Sequence, residues 1–224
     1  NQTGLLANYE LQGEKLLDAP LTPNFWRAPT DNDFGNGYPK RTAAWKAASS
    51  NRKLIRFTNQ VLSGEAVRQL VLTSIYELPD VNGTLKVTYT INGDGEIAVH
   101  SKLNGLEEAT PELPRIGMVF TLPGQFDKVT WYGRGPFENY WDRNTAAFIG
   151  RYSAPVEELY VPYIRPQENG YKTDVRWVSL TNSRGKGLQM EGYPQIGFSA
   201  HHQTIADFDS DMQRKGHTYD IKKR

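Results

Sequence analysis

Residues suited to binding a sugar are concentrated between Pro23 and Tyr38. Carboxylate, amide and guanidinium groups make paired hydrogen bonds to hydroxyls, while aromatic faces hold the ring of a sugar. The segment has all of these groups, in the order Phe25, Trp26, Arg27, Asp31, Asn32 and Asp33. The pattern predicts a sugar-facing loop. The alternative is a structural turn whose aspartates only cap their own backbone.

The backbone of this segment is predicted to be an irregular loop. Pro29 removes a donor and biases Ala28 away from helix, and the Asp, Asn and Gly residues that follow favour tight turns. Phe25 and Trp26 are expected to anchor the loop, with the polar groups at its tip.

Two further clusters combine aromatic residues, proline, arginine and a Glu-Asn pair. The first is Trp131–Arg143, where a Gly-Arg-Gly-Pro run forces a bend after a strand, and the second is Pro162–Tyr171. One interpretation is contact with a polar ligand. The other is a pair of corner loops cross-linked by arginine–carboxylate bonds.

Alternating apolar and polar residues predict strands along most of the chain. A hairpin is the natural assignment for Leu85–Ile91 and Ile97–Leu103, which flank the turn residues Asn92–Gly95. The other predicted strands are Val67–Leu78, Arg115–Leu122, Lys128–Tyr132, Thr173–Thr181, Gly187–Glu191 and Gln195–Ala200. Only Thr42–Ala48 and Ile205–Arg214 are candidate helices. We therefore predict one all-β domain over residues 1–224, built as an antiparallel sandwich.

Composition excludes several classes of function. Lys and Arg total 26 against 25 Asp and Glu, so the charge balance does not indicate nucleic acid or an acidic membrane as a partner. No apolar run reaches membrane-spanning length. The absence of cysteine excludes disulfides and thiolate chemistry, but leaves bacterial cytoplasm and periplasm both open. The chain begins with Asn1 and has no signal-type segment, from which we expect a piece of a longer polypeptide.

Taken together, the three motif regions resemble the C-terminal, small-chain domain of family 2 glycoside hydrolase β-galactosidases. The matching stretches are Phe25–Asp33, Tyr132–Arg143 and Pro162–Gly170, in the family's order. The resemblance implies an antiparallel β-supersandwich like that of galactose mutarotases. It also implies the last of five domains in a retaining enzyme that releases β-linked galactose. The family domain continues beyond the position of Arg224, so this chain is expected to lack its last strands.

The resemblance implies that this chain contains no catalytic residue and no metal ligand. In the family, the two catalytic glutamates and the magnesium and sodium ligands lie in a preceding barrel domain. A retaining enzyme needs two carboxyl groups about 5 Å apart around one bond. Glu138 and Glu168 each lie in a corner loop with Asn and Arg nearby, so we expect both to be salt-bridged or turn-bonded and poor catalysts. The segment from Asp31 is also a poor calcium loop, because Thr42 occupies the twelfth position.

The family assigns a role to the first loop, which lies near the galactose site and moves when ligand binds. Gly35 matches a glycine at the hinge of that movement. The residues expected to shape the loop and meet the substrate are Arg27, Asp31, Asn32, Asp33 and Gly35. The implied partners are the preceding domains of the same enzyme, a galactoside substrate and further subunits of a homo-oligomer.

Two other functions stay open at this point. A stand-alone carbohydrate-binding module needs an exposed aromatic platform, for which the candidates are Trp26, Trp131, Trp141 and Trp177. A mutarotase-like enzyme needs a histidine and a carboxylate converging in a concave site. His100 is a candidate by its position on a strand, although a solvated strand face is the simpler expectation.

Overall fold

The computed structural model describes residues 2–63 and 68–209, and this part of the chain is nearly all β. Every strand pairing in it is antiparallel, which confirms the predicted fold class. The strands are β1 (Glu10–Leu11), β2 (Glu14–Lys15), β3 (Ala19–Asn24), β4 (Lys53–Ser63), β5 (Arg68–Leu78), β6 (Gly83–Asn92), β7 (Ile97–Asn104), β8 (Gly117–Thr121), β9 (Lys128–Gly135), β10 (Phe148–Pro155), β11 (Lys172–Thr181) and β12 (Gly187–Phe198).

Four short α-helices accompany the strands in the part of the chain that the structure describes. They are α1 (Asp31–Gly35), α2 (Tyr38–Arg41), α3 (Ala43–Asn51) and α4 (Ile205–Phe208). Helix α3 confirms the predicted helix at Thr42–Ala48, and α4 covers the start of the second candidate helix, whose last residues lie outside the described residues. None of the described helices has the length and apolar character needed to cross a membrane.

The described residues fall into two compact units. The first contains those of Asn1–Trp26 and Pro39–Thr121, and the second those of Arg27–Tyr38 and Leu122–Arg224. Each unit has one four-stranded sheet. The single domain over residues 1–224 stays a prediction.

The main sheet of the first unit has the order β4-β5-β6-β7 and includes the predicted hairpin. Ile91 pairs with Ile97 across a turn in which Gly95 has a φ of 96°. Alternate residues of β6 point into the core, so Leu85, Val87 and Tyr89 are buried. They pack in one cluster that also contains Trp45, which confirms the alternation predicted from the sequence.

The main sheet of the second unit has the order β10-β9-β11-β12. Its core is formed by apolar residues of β9, β11 and the 3-10 turn after β10, namely Val129, Trp131, Val156, Leu159, Val175 and Val178. The two strands predicted at Gly187–Glu191 and Gln195–Ala200 are one strand, β12. Trp177 pairs with Glu191, and Val175 pairs with Ile196. The register shift between these two pairs accommodates the extra residues of β12, which the sequence had indicated to be a break between two strands.

Candidate functional site

The predicted sugar-facing segment contains helix α1, so the prediction of an irregular loop was wrong there. Thr30 precedes the helix in extended conformation, and its Oγ1 accepts a hydrogen bond from the Asp33 N–H at 3.4 Å. Asp33 Oδ2 in turn accepts from the Thr30 N–H at 2.7 Å. This reciprocal capping box satisfies two donors at the start of the helix, which explains how so short a helix forms.

Arg27 and Asp33 hold each other inside the loop. Arg27 Nη1 lies 2.5 Å from Asp33 Oδ2, and Nη2 lies 3.0 Å from Oδ1, so the ion pair is bidentate and mostly buried. Burial opposes ionisation of Asp33, but the hydrogen bonds from Arg27 and Thr30 outweigh it and lower the pKa of the carboxyl. The guanidinium also lies over the Tyr38 ring, 5.2 Å from its centroid. These two predicted site residues therefore stabilise the shape of the loop.

Asp31 and Asn32 are the predicted site residues that face outward. Both are exposed, and the Asp31 side chain has 62% of its surface accessible. Gly35 ends the helix without a left-handed φ, whereas Gly37 has a φ of 74°, a conformation that favours glycine. Sugar binding by Arg27, Asp31, Asn32, Asp33 and Gly35, and a hinge at Gly35, stay predictions.

Asp33→Asn is expected to lower the free energy of unfolding by about 1–2 kcal/mol at neutral pH, because a charge-assisted bond to a mostly buried arginine is lost. The folded-state pKa of Asp33 lies below its ordinary value of 3.8, so the carboxylate stabilises the fold above that pH and loses this effect as the pH falls further. Urea unfolding at pH 7 and at acidic pH measures both effects. The exposed Asp142→Asn is the control, and an equal loss in both variants would contradict the prediction.

Glu138 is the centre of a buried network in the second and third motif regions. Its carboxylate accepts hydrogen bonds from Arg143 Nη2 at 2.5 Å, from the Gly170 N–H at 2.7 Å and from the Tyr163 hydroxyl. Burial opposes ionisation, but these donors outweigh it and lower the pKa of Glu138. The prediction that Glu138 is salt-bridged is confirmed. The Arg143 bond lies within the second motif region, and the bonds from Tyr163 and Gly170 join this region to the third.

Asn139 joins the second motif region to the start of strand β11. Its Oδ1 accepts from both the Thr173 N–H at 2.9 Å and the Thr173 hydroxyl at 2.6 Å, and its Nδ2 donates to Phe137 O at 3.1 Å. Glu168 is also buried, and its charge adds to burial in raising the pKa of Tyr140. The expectation that Glu168 is salt-bridged or turn-bonded stays a prediction.

Lys172, which is buried, and His201, which is partly buried, are polar residues whose contacts sequence reasoning missed. Lys172 is 1% exposed; its Nζ donates to Gly170 O at 3.0 Å and lies 5.4 Å from the centre of the Trp131 ring. His201 Nε2 lies 2.9 Å from Asn169 O, so this nitrogen carries the hydrogen, and burial lowers the pKa of the imidazole. No sequence motif marks either residue, because their burial arises from contacts between distant segments.

Gly170 explains why the third motif region needs a glycine at that position. Its φ is 71°, and a Cβ there would lie 2.6 Å from His201 Cε1 and 2.7 Å from Leu159 O. Both the backbone conformation and the space around it therefore exclude a side chain.

Lys172→Met is expected to change how stability depends on pH. Burial lowers the pKa of Lys172 to about 8, so between pH 8 and 10.5 the unfolded chain binds more protons than the folded one. Stability of the parent chain should therefore rise relative to the variant across this range, by roughly 3 kcal/mol. Urea unfolding at pH 7.5 and 10.5 measures the difference. The exposed Lys128→Met is the control, and a parallel pH dependence in the parent chain and Lys172→Met would contradict the prediction.

The tryptophans proposed as a carbohydrate platform differ in exposure. Trp26 and Trp131 are buried, Trp177 is half-buried, and Trp141 has 76% of its surface exposed. Trp141 is therefore the member of this set with a free ring face. His100 is exposed on β7, which confirms the prediction of a solvated strand face.

The fold defines an all-β protein of antiparallel sheets whose polar loops are cross-linked by buried carboxylate and amide groups. Residues 1–224 match the family model for the β-galactosidase small chain. The chain therefore belongs to the β-galactosidase small-chain family.

Three bacterial β-galactosidases are similar in sequence to this chain, which matches only a part of each. A β-galactosidase of Priestia megaterium is 41% identical over 203 residues, covering 88% of this chain and 19% of the relative. One of Vibrio cholerae is 33% identical, covering 92% and 20%, and one of Pseudoalteromonas haloplanktis is 37% identical, covering 81% and 18%. The chain thus spans about a fifth of the length of these relatives.

Proposed function

We propose that the chain is the C-terminal part of a retaining β-galactosidase of glycoside hydrolase family 2 that hydrolyses terminal β-D-galactosyl residues, as in lactose. In this proposal it completes the rim of the active site and contributes to subunit contacts in a homo-oligomer. The match to the small-chain family supports the proposal, as do relatives that are named β-galactosidases and are about five times as long.

The observation that carries the rim assignment is that some polar residues of the loop around α1 bond to one another, while others are exposed to solvent. Arg27, Thr30 and Asp33 bond to one another, so their polar groups stabilise a defined loop shape. Asp31 and Asn32 are exposed on the same short helix. A carboxylate and an amide held outward on a preorganised loop are suited to sugar hydroxyls.

The chain is proposed to supply no catalytic group. Glu138 accepts hydrogen bonds from four donors, and its lowered pKa makes it a poor proton donor at neutral pH. The acid/base and nucleophile glutamates, and the magnesium and sodium ligands, are then expected in a preceding barrel domain of the same polypeptide. This domain itself is proposed to bind no cofactor.

Hydrolysis of lactose and of a nitrophenyl galactoside tests the proposal. The full-length polypeptide is expected to be active and the purified chain inactive. In the full-length enzyme, Asp31→Ala is expected to lower kcat/KM about tenfold, since a lost bond to a charged group is worth 1.5–3 kcal/mol. The exposed Asp142→Ala is the matched control. Hydrolysis by the chain alone, or full activity of Asp31→Ala, would overturn the proposal.

A carbohydrate-binding module is the second candidate, because the Trp141 ring is exposed. Calorimetry of the isolated chain with galactose separates the two functions. Binding that is abolished in Trp141→Ala would favour the module, and absence of binding would favour the accessory domain. Polarimetry of galactose anomers tests the mutarotase-like alternative, which predicts faster interconversion than in buffer.

A further inference from the structure

The third motif region contacts helix α1 from outside its own loop. The Gln167 Oε1 accepts a hydrogen bond from the Asp31 N–H at 3.3 Å. Arg165 Nη1 lies 3.8 Å from Asp31 Oδ1, and its guanidinium lies 5.9 Å from the centre of the Phe34 ring. Both arginine contacts and the glutamine contact thus involve one turn of α1. All of these residues belong to the same compact unit.

These contacts differ in kind from those within the loop. The bonds among Arg27, Thr30 and Asp33 join residues three to six positions apart and so fix the shape of the loop. The Gln167 bond joins residues 136 positions apart, so it fixes where that shape lies on the unit. The Asp31 N–H is at the first helical residue, which has no acceptor within its own helix, so an outside acceptor is the natural partner.

Gln167 and Arg165 differ in their exposure to solvent. Gln167 is 8% exposed, so its hydrogen bond is shielded from water. The Arg165 side chain is 39% exposed and the Asp31 side chain 62%, so their attraction is screened and contributes little by itself. Such an arrangement holds the backbone of α1 firmly while leaving the Asp31 carboxylate accessible to a ligand.

We propose that Gln167 and Arg165 are positioning residues that anchor helix α1. In this role they set the direction in which Asp31 and Asn32 face a galactoside. The assignment rests on the proposed function, since it presumes that this loop lies at the rim of a galactoside site. It gives the third motif region a role that neither the family match nor the relatives' names assign.

Hydrogen exchange of the peptide 27–38, followed by mass spectrometry, tests the anchor in the chain itself. Gln167→Leu keeps the size of the side chain but removes the acceptor, and exchange of this peptide is expected to become roughly three- to tenfold faster. Arg165→Ala should accelerate exchange less, and Arg165→Lys less again. Gln189→Leu on β12 and Arg151→Ala, whose guanidinium lies over the Trp177 ring, are matched controls in the same unit.

Kinetics of the full-length enzyme provide the second readout. Gln167→Leu is expected to lower kcat/KM about threefold or more, with an unchanged thermal midpoint. Arg165→Ala should have a smaller effect when combined with Asp31→Ala than in the parent background, because one of its two contacts with α1 is made to that carboxylate.

The outcomes separate the anchor from the rim function. Unchanged exchange of peptide 27–38 in both Gln167→Leu and Arg165→Ala would overturn the anchoring role. Faster exchange with unchanged kcat/KM would leave the anchor in place and overturn the proposed rim function instead.

Discussion

Trp131→Ala is expected to lower the free energy of unfolding by about 4 kcal/mol, enough to unfold a marginally stable domain. Trp131 is 1% exposed in β9 and packs against Tyr152 and Phe198, with ring centroids 5.5 Å and 5.9 Å away. Truncation leaves a cavity and removes the Nε1–H donor that bonds to Arg134 O at 2.9 Å. It also removes the ring face beneath the buried Lys172 ammonium.

Trp141→Ala is the matched control, because it removes the same side chain from an exposed turn. Its effect on unfolding should stay within about 0.5 kcal/mol. Denaturant unfolding of both variants, followed by far-UV circular dichroism, makes the comparison. Equal losses would show that the packing around Trp131 does not determine the stability of the second unit.

Glu138→Ala is expected to lower the free energy of unfolding by about 3 kcal/mol. Four donors lose their acceptor at once, and one of them, the Gly170 N–H, is buried. The loss stays below that of a fully buried ion pair, because the Arg143 side chain is half-exposed and regains water. The folded-state pKa of Glu138 lies below its ordinary value of 4.5, so this contribution is present at neutral pH and disappears in acid.

Two further variants control this prediction. Glu158→Ala removes an exposed carboxylate from the 3-10 turn after β10 and should change stability by less than about 0.5 kcal/mol. Glu138→Gln keeps one oxygen acceptor, so its free energy of unfolding should lie between those of Glu138→Ala and Glu158→Ala. A Glu138→Ala variant as stable as Glu158→Ala at pH 7 would show that the network is not a source of stability.

Local patterns predicted the parts of the fold that local physics determines. Alternation along β6 predicted which of its residues are buried, because a strand presents successive side chains to opposite faces. The turn residues Asn92–Gly95 predicted the hairpin for a similar reason, since the left-handed backbone at Gly95 suits glycine.

Helix α1 was missed although its signal was present. Thr30 and Asp33 have the spacing of a capping box, but the run of Asp, Asn and Gly indicated a turn more strongly. The break predicted within β12 failed for a different reason. A register shift against β11 keeps the strand paired, and the sequence of β12 alone does not contain its partner.

The candidate site was predictable in its residue types but not in its geometry. The sequence placed Arg27, Asp31, Asn32 and Asp33 in one loop. It did not show that Arg27 and Asp33 bond to each other while Asp31 and Asn32 face outward. That distinction depends on a bidentate ion pair between residues six positions apart in the chain. The bond of Gln167 to Asp31 and the position of Lys172 over the Trp131 ring join segments that are distant along the chain, so no local pattern marks them.

The internal ion pair of the α1 loop has a consequence for protein engineering. Because the Arg27–Asp33 ion pair maintains the loop, side chains at positions 31 and 32 can be exchanged with the loss of only the screened contact between Asp31 and Arg165. A library randomised at these two codons would test, under the proposed function, whether galactosides with different aglycones select different residues there in variants that still fold.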